Sequence, residues 1–146
     1  MSTVISTTID SAGISKPVDS IYIAFSFDAG KEPDWKTIRA VALKGAVFVA
    51  EPAAGKERFA ATVEEFIEKY KKSIDEMSLR TTGYQEKIIY KTVSQSGNVA
   101  NVEVSFIAFI PGDNRPGKPG LDNIQLLNDG GKWKIVAFTT QSESMP

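Results

Sequence analysis

The chain has 146 residues, a length that suits one domain and leaves little room for two independent cores. Hydrophobic residues make up 42% and charged residues 24%, ordinary globular usage that excludes a disordered or fibrous chain. Lys and Arg number 17 against 18 Asp and Glu, and a net charge of −1 gives no footprint for a polyanion, so nucleic acid is not an expected partner.

There is no Cys and no His. Disulfide scaffolds, thiolate metal sites, Cys nucleophiles, Ser-His-Asp triads and the usual Zn and Fe ligands therefore drop out, leaving catalysis to carboxylates, Tyr, Lys, Ser or Thr with no metal and no cofactor expected. No stretch approaches the roughly 18 apolar residues of a membrane span. The first basic residue, Lys16, follows a Ser/Thr-mixed start unlike a secretory signal, so a cytoplasmic protein without a membrane partner is expected.

Residues 1–14 lack a sustained period and read as a flexible N-terminal tail. Ser15, Pro17 and Asp19 are a cap, a first-turn Pro and an early acid, and Val18, Ile21, Tyr22 and Phe25 then recur at helical spacing before Gly30 stops the helix. Pro33 and Asp34 open a shorter helix with Trp35, Ile38 and Val41 on one side. Residues 46–50 are a short apolar run closed by Glu51-Pro52, as in a buried strand. Thr62-Val63-Glu64-Glu65 is a capping box, and the helix it opens carries Val63, Phe66, Ile67, Tyr70, Ile74 and Met77 on one stripe, with Glu65/Lys69 and Glu68/Lys72 expected to pair outside.

After Gly83 the period becomes two. Tyr84, Glu86, Ile88 and Tyr90 share one strand face, and Gln85, Lys87, Ile89 and Lys91 the other. Ser96-Gly97-Asn98 marks a hairpin into a strand that sets Val102, Val104, Phe106, Ala108 and Ile110 together. Residues 111–120 are a turn-rich loop suited to a rim or lid. Residues 121–127 and 132–140 are strands joined by an Asn-Asp-Gly-Gly turn, and residues 141–146 form a C-terminal tail. The domain is thus residues 15–140: an α+β fold in which a curved antiparallel sheet wraps N-terminal helices into a cone with an internal pocket.

This succession resembles the nuclear transport factor 2-like (cystatin-like cone) superfamily. The resemblance rests on Asp28-Ala29-Gly30 after the first helix, Trp35, Ala46-Val47-Phe48-Val49, the capped helix from Thr62, and the last hairpin from Leu121-Asp122-Asn123-Ile124 to Gly131-Lys132-Trp133-Lys134-Ile135. It implies the cone and its pocket; the superfamily includes enzymes and binding modules, so it does not choose between them. A weaker resemblance to ketosteroid isomerase and polyketide cyclase-like members implies a carboxylate base before a Pro and a neutral acid on a later strand. Glu51, before Pro52, and Asp122 stand at those two places, with Glu for that family's Asp; its first-helix Tyr falls at Ile23, one residue from Tyr22, and Tyr70 resembles a supporting Tyr.

Abstracting a proton beside a carbonyl needs a base near the carbon and a donor near the oxygen. Glu51 and Asp122 are the candidate catalytic pair. The plainer alternatives are an exposed acid in a strand-to-loop turn for Glu51, and a strand-start residue bonding the preceding loop for Asp122. Tyr22, Trp35, Tyr70, Glu86, Tyr90 and Phe106 are candidate ligand-binding residues, though such aromatics are more often plain core than ligand cage, and Glu86 is equally suited to a strand end that reaches water. Ile107, Phe109, Val136 and Phe138 can make the outer sheet face apolar, which implies a homodimer through that face. The expected function is binding of a largely apolar small molecule, with cofactor-free isomerisation or cyclisation by carboxylate proton transfer as its catalytic form; the alternative is a protein-interaction module using the outer sheet face or the 111–120 loop.

Overall fold

The computed structural model describes residues 9–52 and 54–142, so most of the expected tails, 1–8 and 143–146, lie outside the described residues. Helix α1 spans Ser11–Phe25 and α2 Trp35–Val41; α3 spans Val63–Glu76 and the single turn α4 Leu79–Thr82. The strands are β1 Phe27–Asp28, β2 Ala42–Val49, β3 Ala61–Thr62, β4 Gly83–Ser96, β5 Val99–Phe109, β6 Lys118–Asp129 and β7 Lys132–Ser142, forming one sheet in the order β1-β4-β5-β6-β7-β2-β3. The sheet curves without closing, and the helices pack in its hollow. Its pairing is antiparallel except between β2 and β7, which run parallel, a correction to the all-antiparallel expectation. No hairpin joins those two strands, so no short loop forces them antiparallel.

Helix α1 lies at the centre. Ile14, Val18, Ile21, Tyr22 and Phe25 are buried at three- and four-residue spacing, against the sheet residues Val102, Val104, Ile124, Leu126 and Ile135. The helix begins four residues earlier than Ser15 because Asp10 is the cap: its carboxylate accepts from the Gly13 N–H at 3.0 Å and from Trp133 Nε1 at 3.1 Å. Pro17 therefore sits inside the helix and not at its opening. The capping box at Thr62 forms as expected, Thr62 and Glu65 each holding the other's backbone N–H. Glu65 is occupied there, and the outer pairs of α3 are Glu68–Lys71 and Lys72–Glu76 in place of the expected Glu65/Lys69 and Glu68/Lys72.

Two irregularities re-aim side chains. The β4–β5 register slips between Ile88 and Tyr90, and one extra residue exchanges the two faces of β4 beyond it. Tyr90 consequently lies outside at 61% exposure, not on the face of Tyr84 and Glu86, while Lys91 moves to the helix side and its Nζ reaches Asp19 of α1 at 2.5 Å. The β6–β7 register slips between Gln125 and Leu126, and Phe138, expected on the outer face, is buried against Phe25, Phe48 and Tyr22.

Candidate functional site

The hollow between the sheet and α3 is a cavity of about 1080 Å³, slightly above the usual range of small-molecule pockets. Aromatic rings from five elements make its apolar wall. Phe48 of β2 stacks on Phe66 of α3 at 4.8 Å and on Phe138 of β7 at 5.5 Å, and Phe25 of α1 meets Phe66 and Phe138 at 5.7 Å. Phe106 of β5 also lines it.

Into this wall the strands set two carboxyls, each held by a tyrosine. Asp122 is 1% exposed and accepts a hydrogen bond from the Tyr22 hydroxyl at Oδ2. Its other oxygen, Oδ1, is buried with no hydrogen-bond partner. Burial raises the Asp122 carboxyl to about 6, against the hydroxyls of Tyr22 and of Thr140, its register neighbour on β7, which favour the charged form. Glu86 Oε1 accepts from the Tyr84 hydroxyl at 2.8 Å. Burial is the main cause that lifts Glu86 to about 7; the Asp122 charge adds to the rise and the Tyr84 bond opposes it. Glu86 is encased in protein yet keeps some accessible surface, because it borders the cavity on one side and a second cleft of about 430 Å³ between α1 and β4 on the other. The phenols of Tyr22, Tyr70 and Tyr84 are raised by burial and by these carboxylates, so they stand as neutral donors at physiological pH.

Glu51, Tyr70, Glu86, Phe106 and Asp122 border the one cavity. Glu51 stands at its mouth, exposed and paired with Arg58 at 2.7 Å. The Tyr70 hydroxyl donates to the Phe25 carbonyl at 2.6 Å, which ties α3 to the end of α1. Tyr22 lies behind Asp122, and the other candidate for that position, Ile23, is 75% exposed. Trp35 packs edge-on against Tyr70 at 5.6 Å and does not line the cavity; its buried Nε1 has no partner. Tyr90 is outside. Sequence reasoning passed over Tyr84 as a site residue although it lies two positions from Glu86 on the same strand face, which is the spacing that lets its hydroxyl reach the carboxylate.

No protein-family model matches the sequence, and no curated protein matches it either. Solved structures do. An NTF2-like protein of unknown function from Pseudomonas putida KT2440 superposes with a TM-score of 0.72 at 13% identity, covering 92% of this chain and 87% of its own. The chain has the NTF2-like, cystatin-like fold. A cystatin-like protein of unknown function from Nostoc punctiforme PCC 73102 gives 0.71 at 13% identity over 96% of both chains, and an NTF2-like protein of unknown function from Silicibacter pomeroyi DSS-3 gives 0.60 at 18% over 90% and 94%. Identities this low carry the NTF2-like architecture and not a chemistry, so function is argued from the site. Among the described residues, no helix is long and apolar enough to cross a membrane.

Proposed function

We propose that the cone binds a largely apolar organic molecule whose carbonyl or hydroxyl oxygen meets Asp122. The observation that carries this reading is the unpartnered Oδ1 of Asp122. A buried polar atom without a partner costs about 1–3 kcal/mol, and a ligand hydroxyl that donates to it, or a carbonyl that accepts from its protonated form, recovers that penalty on binding. The aromatic wall supplies the rest of the affinity through burial of apolar surface. A thermal-shift screen of steroid-like and polyketide-like ketones, each beside its parent hydrocarbon, tests it. Near pH 5, where Asp122 carries its proton, ketones bind about tenfold or more tightly than the hydrocarbons, and Asp122→Leu abolishes that preference. Equal binding of both classes, or of neither, overturns the reading.

Glu86 favours a catalytic form of the same reading. A carboxyl poised near 7 in the pocket of Asp122 suits proton transfer beside a carbonyl. The ligand oxygen accepts from the neutral form of Asp122 and so favours it, and in the complex the proton shared by the two acids sits on Asp122 while Glu86 is ionised. In a ketone with a β,γ double bond Glu86 takes the proton from the carbon between the carbonyl and that bond, the electron pair spreads over a dienolate, and Asp122 hydrogen-bonds its oxygen. Glu86 then returns the proton to the γ carbon of that dienolate as the double bond moves into conjugation with the carbonyl, so the sum is a double-bond isomerisation that needs no cofactor. Glu51, the base expected from sequence, is the weaker choice: it sits at the solvent end of the cavity in an ion pair. Hydrogen–deuterium exchange of a bound ketone, followed by NMR, separates them. Glu86→Gln slows exchange by about 100-fold or more and Glu51→Gln changes it less than about threefold; the reverse order returns the role to Glu51.

A further inference from the structure

The two ends of the cavity differ in charge, and the difference limits which ligands fit. At the inner end, among the described residues, the ionisable side chains bordering it are acids and tyrosines: Glu86, Asp122, Tyr70 and Tyr84. At the mouth, three cations are already matched, Arg58 by Glu51, Arg115 by Asp113 and Lys72 by Glu76. Lys56, Lys69 and Lys118 also line the mouth, from the segment after β2, from α3 and from the start of β6, and among the described residues they belong to no ion pair; one such carboxylate, Glu57, stands against them. Lys69 is fixed in place, its Nζ 3.5 Å over the Phe59 ring.

We propose, building on the pocket reading above, that the ligand is an amphipathic organic acid: an alicyclic or aromatic body with its neutral oxygen at Asp122 and an anionic group at the mouth between Lys69 and Lys118. The acids at the inner end set the orientation. An anion placed there meets like charge in a desolvated setting and no cation, whereas at the mouth it meets unmatched ammonium groups while keeping part of its water. The cavity is large enough for such a molecule, and Asp122, Lys69 and Lys118 all border it. A carboxylate and a phosphate offer the mouth the same chemistry, and the choice between them is one arm of the test.

The experiment uses matched pairs on three bodies: dehydrolithocholic acid, whose ketone and carboxylate lie at opposite ends, a naphthyl keto acid and a long-chain keto acid, each beside its carboxamide and its phosphate ester analogue. Dissociation constants are measured by isothermal titration calorimetry at low and high salt. The acid of at least one body binds about tenfold more tightly than its amide, and that advantage shrinks at high salt. Lys69→Gln with Lys118→Gln removes the advantage and leaves amide binding unchanged, and Lys69→Arg with Lys118→Arg restores it. Tighter binding of the phosphate than of the carboxylate assigns the anion as phosphate. Amide and acid binding equally overturns this inference while the pocket reading stands. Absence of binding by every member of the panel, neutral amides included, overturns both.

Discussion

Tyr22 donates its phenol hydrogen to Asp122 across 100 residues of chain, and so joins the central helix to the sheet at the inner end of the cavity. The bond supports the ionised carboxyl, and removing it by Tyr22→Phe leaves the Thr140 hydroxyl as the remaining hydrogen-bonding group that favours the charge. Expected is a further rise of the Asp122 pKa above about 6, since burial then acts with less opposition. An acid whose pKa is raised on folding weakens the fold once it must ionise. Chemical denaturation therefore finds Tyr22→Phe destabilised by about 1–3 kcal/mol near pH 8 and by less near pH 5, where Asp122 is protonated in both proteins.

Glu86 imposes a pH dependence of the same sign. The folded state holds its proton up to about 7, whereas the ordinary value is 4.5, so between those values the folded chain binds more protons than the unfolded chain. Stability therefore falls as pH rises through that window and levels off above it. The Glu86 contribution is about 1–3 kcal/mol, reduced by the water that reaches it from the cavity and the cleft. Glu86→Gln flattens this part of the profile and gains stability near pH 8 relative to the parent chain. An unchanged slope in urea titrations across the window rejects the assignment of the buried proton to Glu86.

Phe106 and Gly120 face each other across β5 and β6, and a Cβ added at Gly120 meets the Phe106 ring at 2.3 Å. The glycine is what lets the ring lie flat on the neighbouring strand. Gly120→Ala expels Phe106 from that position, and the cavity it lines is the open space beside it. Expected is a destabilisation of about 1–3 kcal/mol from overpacking and weaker ligand binding. Pairing Gly120→Ala with Phe106→Leu relieves the crowding and recovers part of both losses, which thermal unfolding and titration of the same ketone measure together.

The order of elements and the capped helix from Thr62 were legible because each rests on local chemistry: a cap, a stop, a period. The two β-bulges were not. A bulge is one unpaired residue in an otherwise alternating strand, and strict period-two counting carries the error to every residue beyond it, which is why Tyr90 and Phe138 were assigned to the wrong faces. Asp122 could be placed inward from Ile124 and Leu126 because the extra residue of the β6–β7 slip, Val136, lies on β7 and leaves the alternation of β6 unbroken. Depth within the cavity was beyond reach for another reason. Glu51 and Glu86 both border it, and only the loop that follows Glu51, which brings Arg58 to its carboxylate, makes one of them a rim residue.

The bulge that turns Tyr90 outward also creates an apolar patch on the convex face. Ile89 is 59% and Tyr90 61% exposed, Tyr90 lies in register with Ser105 and Leu121, and half-buried Ile107 is next in the row on β5. Exposed large side chains grouped on one sheet face favour burial against a like face, and a two-fold axis through the patch sets Tyr90 of each copy against the row of the other. We therefore expect a homodimer through the outer sheet face. Tyr90→Glu places two charges in that contact and shifts sedimentation at micromolar concentration to the monomer, while the fold keeps its thermal midpoint within a few degrees because the side chain makes no core contact. A parent chain that sediments as a monomer at that concentration overturns the dimer and leaves the patch to a different protein partner, in which case Tyr90→Glu abolishes capture of that partner and leaves ligand binding inside the cone untouched.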